Sequence, residues 1–292
     1  MKIATIQTEE GIRSGIVIHS GGSVYLELFE TAADLRSLIG GRELGVVKRG
    51  EPILFDSNRL LPPIPNPSKL LCLAGNYREH IIESGYAAPE VSDIITPQVF
   101  LKPSTCLIAD GAVIPLHSNN VAVGWEVELA VVIGRGGRDI READALDHVF
   151  GYTILNDISE RKLNSRIENR RKREADGFFD WLAGKWFDGF APCGPWIVTA
   201  DEIPNPHRLA IRLFVNGELR QESSTGAMLF SVPAQIAYIS SITRLEAGDM
   251  IATGTPAGAG LGSGSKALKD GDEVLCQIDG IGSLRNRVQA ER

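Results

Sequence analysis

The chain is poor in methionine, with 3 among 292 residues, and poor in aromatics, at 7%. Its 4 cysteines, Cys72, Cys106, Cys193 and Cys276, are widely scattered. No Cys-x-x-Cys pair exists, which excludes a zinc ribbon or thioredoxin-type site and leaves reduced, mostly buried thiols as the expectation. No His-Glu-x-x-His stretch or paired Cys/His spacing occurs, so a zinc centre has no ligands in the expected pattern. Long apolar runs are missing: stretches such as Leu129 to Ile133 fall far short of the about 20 residues a membrane-spanning helix needs. The first residues include Glu9 and Glu10 where a secretory signal would carry its apolar stretch, so the expected location is cytoplasmic. A basic excess is also absent, with 30 Lys and Arg against 37 Asp and Glu for a net charge of −7. That argues against nucleic-acid binding but leaves room for a locally cationic pocket and an anionic small molecule.

Glycine and proline are plentiful, at 31 and 15. They punctuate short β-branched runs, which is strand chemistry. Leu61-Pro62-Pro63-Ile64-Pro65-Asn66-Pro67 cannot lie inside a sheet or helix, because each proline lacks an amide donor. Residues 1–67 therefore read as a small amino-terminal β domain and linker, with strands near 2–7, 15–19 and 23–28 and a helical piece around 31–39. Residues 68–292 form the second domain. Lys69–Ala74 reads as a buried strand and Tyr77–Ser84 as a short helix stopped by Gly85. Two longer helices are expected, over Ser159–Ala175 and over Pro233–Ser241, the latter capped by Ser231 with Pro in its first turn. Too few helices separate the strands for a parallel α/β sheet. The fold class is α+β, mainly β.

Glu126 and Glu128 lie in Trp125-Glu-Val-Glu-Leu-Ala-Val-Val-Ile-Gly134. With a strand period of two they share a face with Ala130 and Val132, while Val127, Leu129, Val131 and Ile133 line the other. Buried, such a pair needs a cation or protonation; alternatively, the first half of the strand emerges into solvent. Asp157 ends another strand-like run, Gly151–Asn156, and reads either as a helix cap or as a third acid. Three converging carboxylates are hard oxygen ligands suited to Mg²⁺ or Mn²⁺. His80 and Glu83, three apart on one helical face, make either an imidazole–carboxylate pair or the polar side of an amphipathic surface helix. The segment from Tyr86 to Pro97 suits a mobile connection or lid. Gly254 to Gly264 is glycine-rich but fits neither G-x-G-x-x-G nor G-x-x-x-x-G-K-[ST], so nucleotide binding is not expected.

Several motifs occur in a set order: Asn-Tyr-x-x-His-x-x-Glu (76–83), Phe-Leu-Lys-Pro (100–103), the Trp-Glu-Val-Glu strand (125–134) and Gly-Tyr-Thr-x-x-Asn-Asp (151–157). They continue with Gly-Lys-x-Phe-Asp (184–188), Val-Asn-Gly-Glu-x-Arg-Gln (215–221) and Gly-Asp-x-Ile-Ala-Thr-Gly-Thr-Pro (248–256). With this set, residues 69–287 resemble the fumarylacetoacetate hydrolase superfamily, and in particular its acylpyruvate hydrolase and 2-hydroxyhepta-2,4-diene-1,7-dioate isomerase members. The resemblance implies a mixed β-sandwich roll, usually homodimeric. It implies a divalent metal, Mg²⁺ or Mn²⁺, held by Glu126, Glu128 and Asp157. It makes His80 and Glu83 a lid-borne catalytic pair and Lys185 a catalytic or oxyanion-stabilising lysine, and it sets Lys102, Arg161 and Thr255 against the substrate's carboxylate or carbonyl groups.

The chain departs from the family pattern at Asn164, where relatives often have Gln, and at Ala74, where some supply a further carboxylate. It also carries a basic insertion with Arg166, Arg170, Arg171, Lys172 and Arg173. The leading expectation is hydrolysis of a carbon–carbon bond in an acylpyruvate-like or other diketo acid. The alternatives are decarboxylation of oxaloacetate or a related β-keto acid, isomerisation of a 2-hydroxydienoate, or non-catalytic binding of metal and keto acid on the same scaffold.

Overall fold

Short β-branched segments bounded by glycine, proline and aspartate form strands over most of the chain. The computed structural model describes every residue except 32–33, 42–43, 45–46, 91–92, 261–266 and 292. The first elements are β1 (Lys2–Thr8), β2 (Gly11–Ser20), β3 (Ser23–Leu28), α1 (Leu35–Gly41), β4 (Ile53–Leu54), β5 (Leu60–Leu61) and β6 (Leu70–Ala74). Then come α2 (Arg78–Glu83), β7 (Gln98–Lys102), β8 (Leu107–Ile108), β9 (Val113–Leu116), β10 (Val123–Gly124), β11 (Val127–Ile133) and β12 (Val149–Asn156). The chain continues with β13 (Ser159–Glu160), α3 (Asp176–Ala183), β14 (Ala191–Thr199), β15 (Ala210–Val215) and β16 (Glu218–Ser224). It ends with α4 (Val232–Ile242), β17 (Met250–Ala252), β18 (Glu273–Ile278) and β19 (Gly282–Ala290).

A 12-stranded sheet runs β4-β3-β2-β1-β14-β12-β11-β17-β6-β7, with β5 beside β1 and β8 beside β14. Most pairs are antiparallel, but β17 and β6 run parallel. The amino-terminal strands join this sheet through β1 and β14, with Lys2 opposite Val198. A 5-stranded sheet, β16-β15-β18-β19-β9, forms the second layer. The architecture is the mainly β, mixed-sheet α+β fold expected. Among the described residues no helix is long and apolar enough to cross a membrane.

The central strand β11 shows why two layers form. All 7 of its residues are buried. Val127, Leu129, Val131 and Ile133 share a core with Ile211, Leu213, Val274 and Cys276 of the second sheet. Ala130 and Val132 point the other way, into a core with Leu70, Cys72, Leu155 and Ile197. This is the parity that a period of two requires. All four cysteines are free and buried.

The helix expected over Ser159–Ala175 does not form. Ser159–Glu160 instead pairs with Val123–Gly124, and the helix, α3, begins only at Asp176. Asn164 and Asn169 take φ of 61° and 57°, left-handed values that a right-handed helix cannot contain. The arginines of the insertion find acids on α3: Arg170 pairs with Asp176 and Asp180, and Arg173 with Asp176. The helical piece in the amino-terminal part starts at Leu35 rather than near Thr31; residues 32–33 of that expectation lie outside the described residues. α4 forms as expected, with Ser231 Oγ accepting the amide of Ala234.

Because β11 is covered on both faces, its side chains cannot be shortened without a void. Leu129→Ala should lower stability by about 2–5 kcal/mol in urea unfolding, and a loss below about 1 kcal/mol would contradict the two-layer packing.

Candidate active site

Adjacent strand ends bring the acids together. Asn156, last residue of β12, accepts the Glu126 amide on Oδ1 at 2.9 Å. The Asp157 amide donates to the Glu126 carbonyl at 2.8 Å. These bonds hold the start of β11 against the end of β12, so one carboxylate oxygen from each of Glu126, Glu128 and Asp157 lies within 4.8 Å of the others. All three residues are buried; Glu128 is 1% exposed. The strand therefore does not emerge into solvent here. Asp157 caps no helix, since β13 follows it.

Three cations answer the three acids. Lys185 Nζ lies 2.8 Å from Glu126 Oε2 and 2.6 Å from Asp157 Oδ2. Lys102 Nζ lies 2.6 Å from Asp157 Oδ1 and also donates to the Ile158 carbonyl at 3.0 Å. The Arg161 guanidinium donates to Glu126 Oε1. Burial pushes the Asp157 carboxyl up, but Lys102 and Lys185 more than offset it and hold it below the usual range. Burial, with Arg161 adding to it, pulls Lys185 down despite the attraction of Asp157. Glu128 has no such partner. Burial, then the Asp157 charge, pushes its carboxyl up to about 8.

Glu128 Oε2 accepts the Gly254 amide at 2.7 Å, while Oε1 is buried without a hydrogen-bond partner among the described residues. An orphaned carboxylate oxygen beside two further hard oxygen donors fits a divalent cation of the Mg²⁺ or Mn²⁺ type. Soft ligands play no part in the cluster, although Cys72 lies close enough for Asp157 and Glu128 to push its thiol further above the value that burial already raises.

His80 and Glu83 do face each other, with His80 Nδ1 3.6 Å from Glu83 Oε2. Glu83 Oε2 also accepts the Gly258 amide at 2.8 Å. Burial raises the Glu83 carboxyl, but His80 and the amides of Gly258 and Ala259 outweigh it and leave the group below its ordinary value. Arg161 links the two halves. It contacts Glu126 directly and feels the Glu83 charge, although burial still lowers its pKa to about 10. Tyr77, at the head of α2, has a buried hydroxyl without a partner among the described residues and is raised by burial and by Glu128.

The remaining sequence assignments find specific partners. Thr255 Oγ1 donates to the Val127 carbonyl at 2.9 Å and accepts Gln221 Nε2 at 2.8 Å. Asn164, in the position where the family pattern often has Gln, donates to Asp180 at 2.7 Å and thus anchors α3. Arg166, Arg171 and Lys172 are exposed. Three residues with structural consequence had no assigned role: Asn156, Gln221 and Asn76. Asn76 Nδ2 donates to the Thr253 carbonyl at 2.7 Å and its Oδ1 accepts the Phe230 amide at 2.8 Å, pinning the entry to α2. Asn156 precedes Asp157, Asn76 precedes Tyr77 and Gln221 follows Arg220 in the quoted motifs, and those positions are the signal the sequence offers.

The family model for the fumarylacetoacetate (FAA) hydrolase C-terminal region matches residues 69–289. A Xenopus laevis protein named oxaloacetate tautomerase fahd2, mitochondrial, is 40% identical over 238 residues, covering 81% of this chain and 70% of that protein. Oxaloacetate tautomerase YisK of Bacillus subtilis is 43% identical over 235 residues, covering 79% and 73%. The crystal structure of 5-carboxymethyl-2-hydroxymuconate delta-isomerase from Mycobacterium smegmatis superposes with a TM-score of 0.75 at 31% identity, covering 100% of both chains. Fold and site thus define a two-layer mixed β protein with a buried cluster of three acids that fits a divalent cation. The chain belongs to the fumarylacetoacetate hydrolase family.

The raised Glu128 carboxyl has a consequence for stability. In the unfolded chain it ionises near 4.5 and in the fold near 8, so the folded state holds the extra proton between those values. Its contribution is present below about pH 4.5 and lost as pH rises toward 8. In chelator, stability of the wild type relative to Glu128→Gln should therefore fall by more than about 1 kcal/mol across this window. Added Mg²⁺ should stabilise the wild type more than the variant. A pH-independent difference in urea unfolding would refute the raised, buried carboxyl.

Proposed function

We propose that the protein is a divalent-metal-dependent tautomerase that interconverts the keto and enol forms of oxaloacetate or a closely related 2-oxo diacid. The observation that carries this reading is one imidazole–carboxylate pair, His80–Glu83, linked through Arg161 to a buried cluster of three acids and their cations. Such a site is equipped to move one proton and to hold the negative charge that its removal creates. The relatives at 40% and 43% identity are named oxaloacetate tautomerases, and one of the solved structures with this fold is named an isomerase, which supports proton movement over bond cleavage. Proton transfer of the kind in the isomerisation alternative, on oxaloacetate rather than a 2-hydroxydienoate, therefore takes precedence over hydrolysis of an acylpyruvate and over decarboxylation.

Glu126, Glu128 and Asp157 would hold Mg²⁺ or Mn²⁺, which when bound supplies Lewis-acid stabilisation of an enolate. The chain's own groups perform the proton transfers. His80 turns Nδ1 toward Glu83, leaving Nε2 to take a proton from C3 of the keto acid. The electron pair of the broken C3–H bond becomes the C2–C3 double bond, and the C2 carbonyl pair moves onto its oxygen. Glu83 balances the imidazolium that forms. The imidazolium returns the proton to the C2 oxygen, which completes the enol, restores the base and consumes no water. The Lys185 ammonium stabilises the charge on that oxygen. Lys102 and Arg161 supply cationic surroundings for the substrate's carboxylates, and Thr255 shapes the adjoining loop. Residues 86–97, of which 91–92 lie outside the described residues, serve as the proposed lid, and the proposed assembly is a homodimer.

With Mg²⁺ present, the enzyme should accelerate loss of the enol absorbance of freshly dissolved oxaloacetate. His80→Ala should reduce that rate by about 10²–10⁴-fold while metal content, checked by elemental analysis, is retained. Acylpyruvate cleavage with no effect on the oxaloacetate tautomers would replace this proposal with the hydrolase reading.

A further inference from the structure

The glycine-rich stretch beginning at Gly254 matches no nucleotide signature, and the proposed proton transfers give most of it no task. We infer that residues 254–258 are a strap that locks the His80–Glu83 pair and the carboxylate cluster into one register, with Gln221 the positioning residue that holds it. This rests on reading His80–Glu83 as the proton-handling pair.

Both ends of the strap grip a carboxylate of the site through a backbone amide. At one end, the Gly254 amide donates to Glu128 Oε2 at 2.7 Å. At the other, the Gly258 amide donates to Glu83 Oε2 at 2.8 Å. The Glu83 carboxyl is held below its ordinary value, so the Gly258 end is a charge-assisted bond, which is about twice as strong as a neutral one. Both glycines have φ of +90°, which side-chain-bearing residues rarely adopt. A Cβ on Gly254 would stand 2.8 Å from Asn76 Cβ, and one on Gly258 would stand 2.0 Å from the Arg220 carbonyl oxygen. The strap is therefore wedged between the entry to α2 and strand β16.

Gln221 fixes its middle. It is buried on a strand whose neighbours are mostly exposed. Its Nε2 donates to Thr255 Oγ1 and to the Pro256 carbonyl, both at 2.8 Å. Its Oε1 accepts the amide of Val127 at 3.0 Å, the residue between Glu126 and Glu128. Trp125 closes the circuit by donating its indole N–H to the Gly258 carbonyl at 2.9 Å. One side-chain amide from the second sheet thus ties the acid-bearing strand to the loop that anchors the helix carrying His80. Displacing α2 pulls on Gly258, and the pinned strap passes that pull to Glu128.

The experiment uses the full chain without substrate and reads two quantities: Mn²⁺ affinity by calorimetric titration, and hydrogen exchange at the Ile81 and Ser84 amides of the α2 region. Gln221→Met keeps length and removes every bond. It should weaken Mn²⁺ binding by about 10–100-fold, as expected when a partner that orients a metal ligand is lost, and should speed α2 exchange while leaving β1 and β2 unchanged. Glu83→Ala should release α2, whereas Glu83→Gln, which keeps an acceptor for Gly258, should restore slow exchange. A folded Gln221→Met with wild-type Mn²⁺ affinity and wild-type α2 exchange would overturn the inference. So would Glu83→Gln exchanging as fast as Glu83→Ala, a comparison that decides the matter even if Gln221→Met does not fold. Neither readout involves oxaloacetate, so failure of the tautomerase assay leaves the strap standing, and failure of the strap leaves the tautomerase reading standing.

Discussion

Three carboxylates packed inside a protein are the constraint to which the rest of this structure answers. Each buried charge carries a desolvation cost of several kcal/mol, and three neighbours of one sign add repulsion to it. Lys102, Lys185 and Arg161 are all drawn to Glu126 and Asp157 for this reason. Among the described residues, Glu128 is left with a single amide bond and an unpartnered oxygen. The imbalance is informative. A purely structural ion-pair network would have satisfied its last oxygen, whereas a site reserved for a cation has reason to leave it open.

Holding acids in that position requires a rigid backbone around them. β11 supplies it because both its faces are buried, one under the second sheet and one under the core that includes β6 and β14. Its pairing to β12 sets Val127 opposite Asn156 and so brings Asp157 to Glu126. The second sheet does more than cover an apolar face, since it sends Gln221 into the site's supporting bonds. The helix with His80 and Glu83 carries no buried residue and depends on its attachments at Asn76 and Gly258. Precision at the acid cluster comes from packing. The helix that carries the imidazole is held instead by a few hydrogen bonds at Asn76 and Glu83.

Much of this was readable from residue order. Alternation in Val127–Ile133 fixed which side chains share a face, because a strand has only two. Ser231 before Val-Pro marked the start of α4, because capping and a proline in the first turn are local events. The order of motifs identified the family, and the acids in those motifs lie together. The segment 159–175 departs from the helix its charges suggest because those charges are not local in their effect: Arg170 and Arg173 reach forward to Asp176 and Asp180 while two asparagines turn the backbone left-handed.

The sequence by itself determined the strand-rich class, the faces of the central strand, the family and the residues able to bear chemistry, since these depend on residue type and short spacing. Only the tertiary structure decided what those residues touch. Arg161 meets Glu126 across 35 residues, and Gly254 meets Glu128 across 126. Gln221 reaches Val127 across 94. Contacts of that range are set by how two sheets stack and which strand ends adjoin, and burial then converts them into shifted ionisation and directed bonds. A lysine that composition counts as surface charge becomes, once enclosed beside Asp157, part of the site.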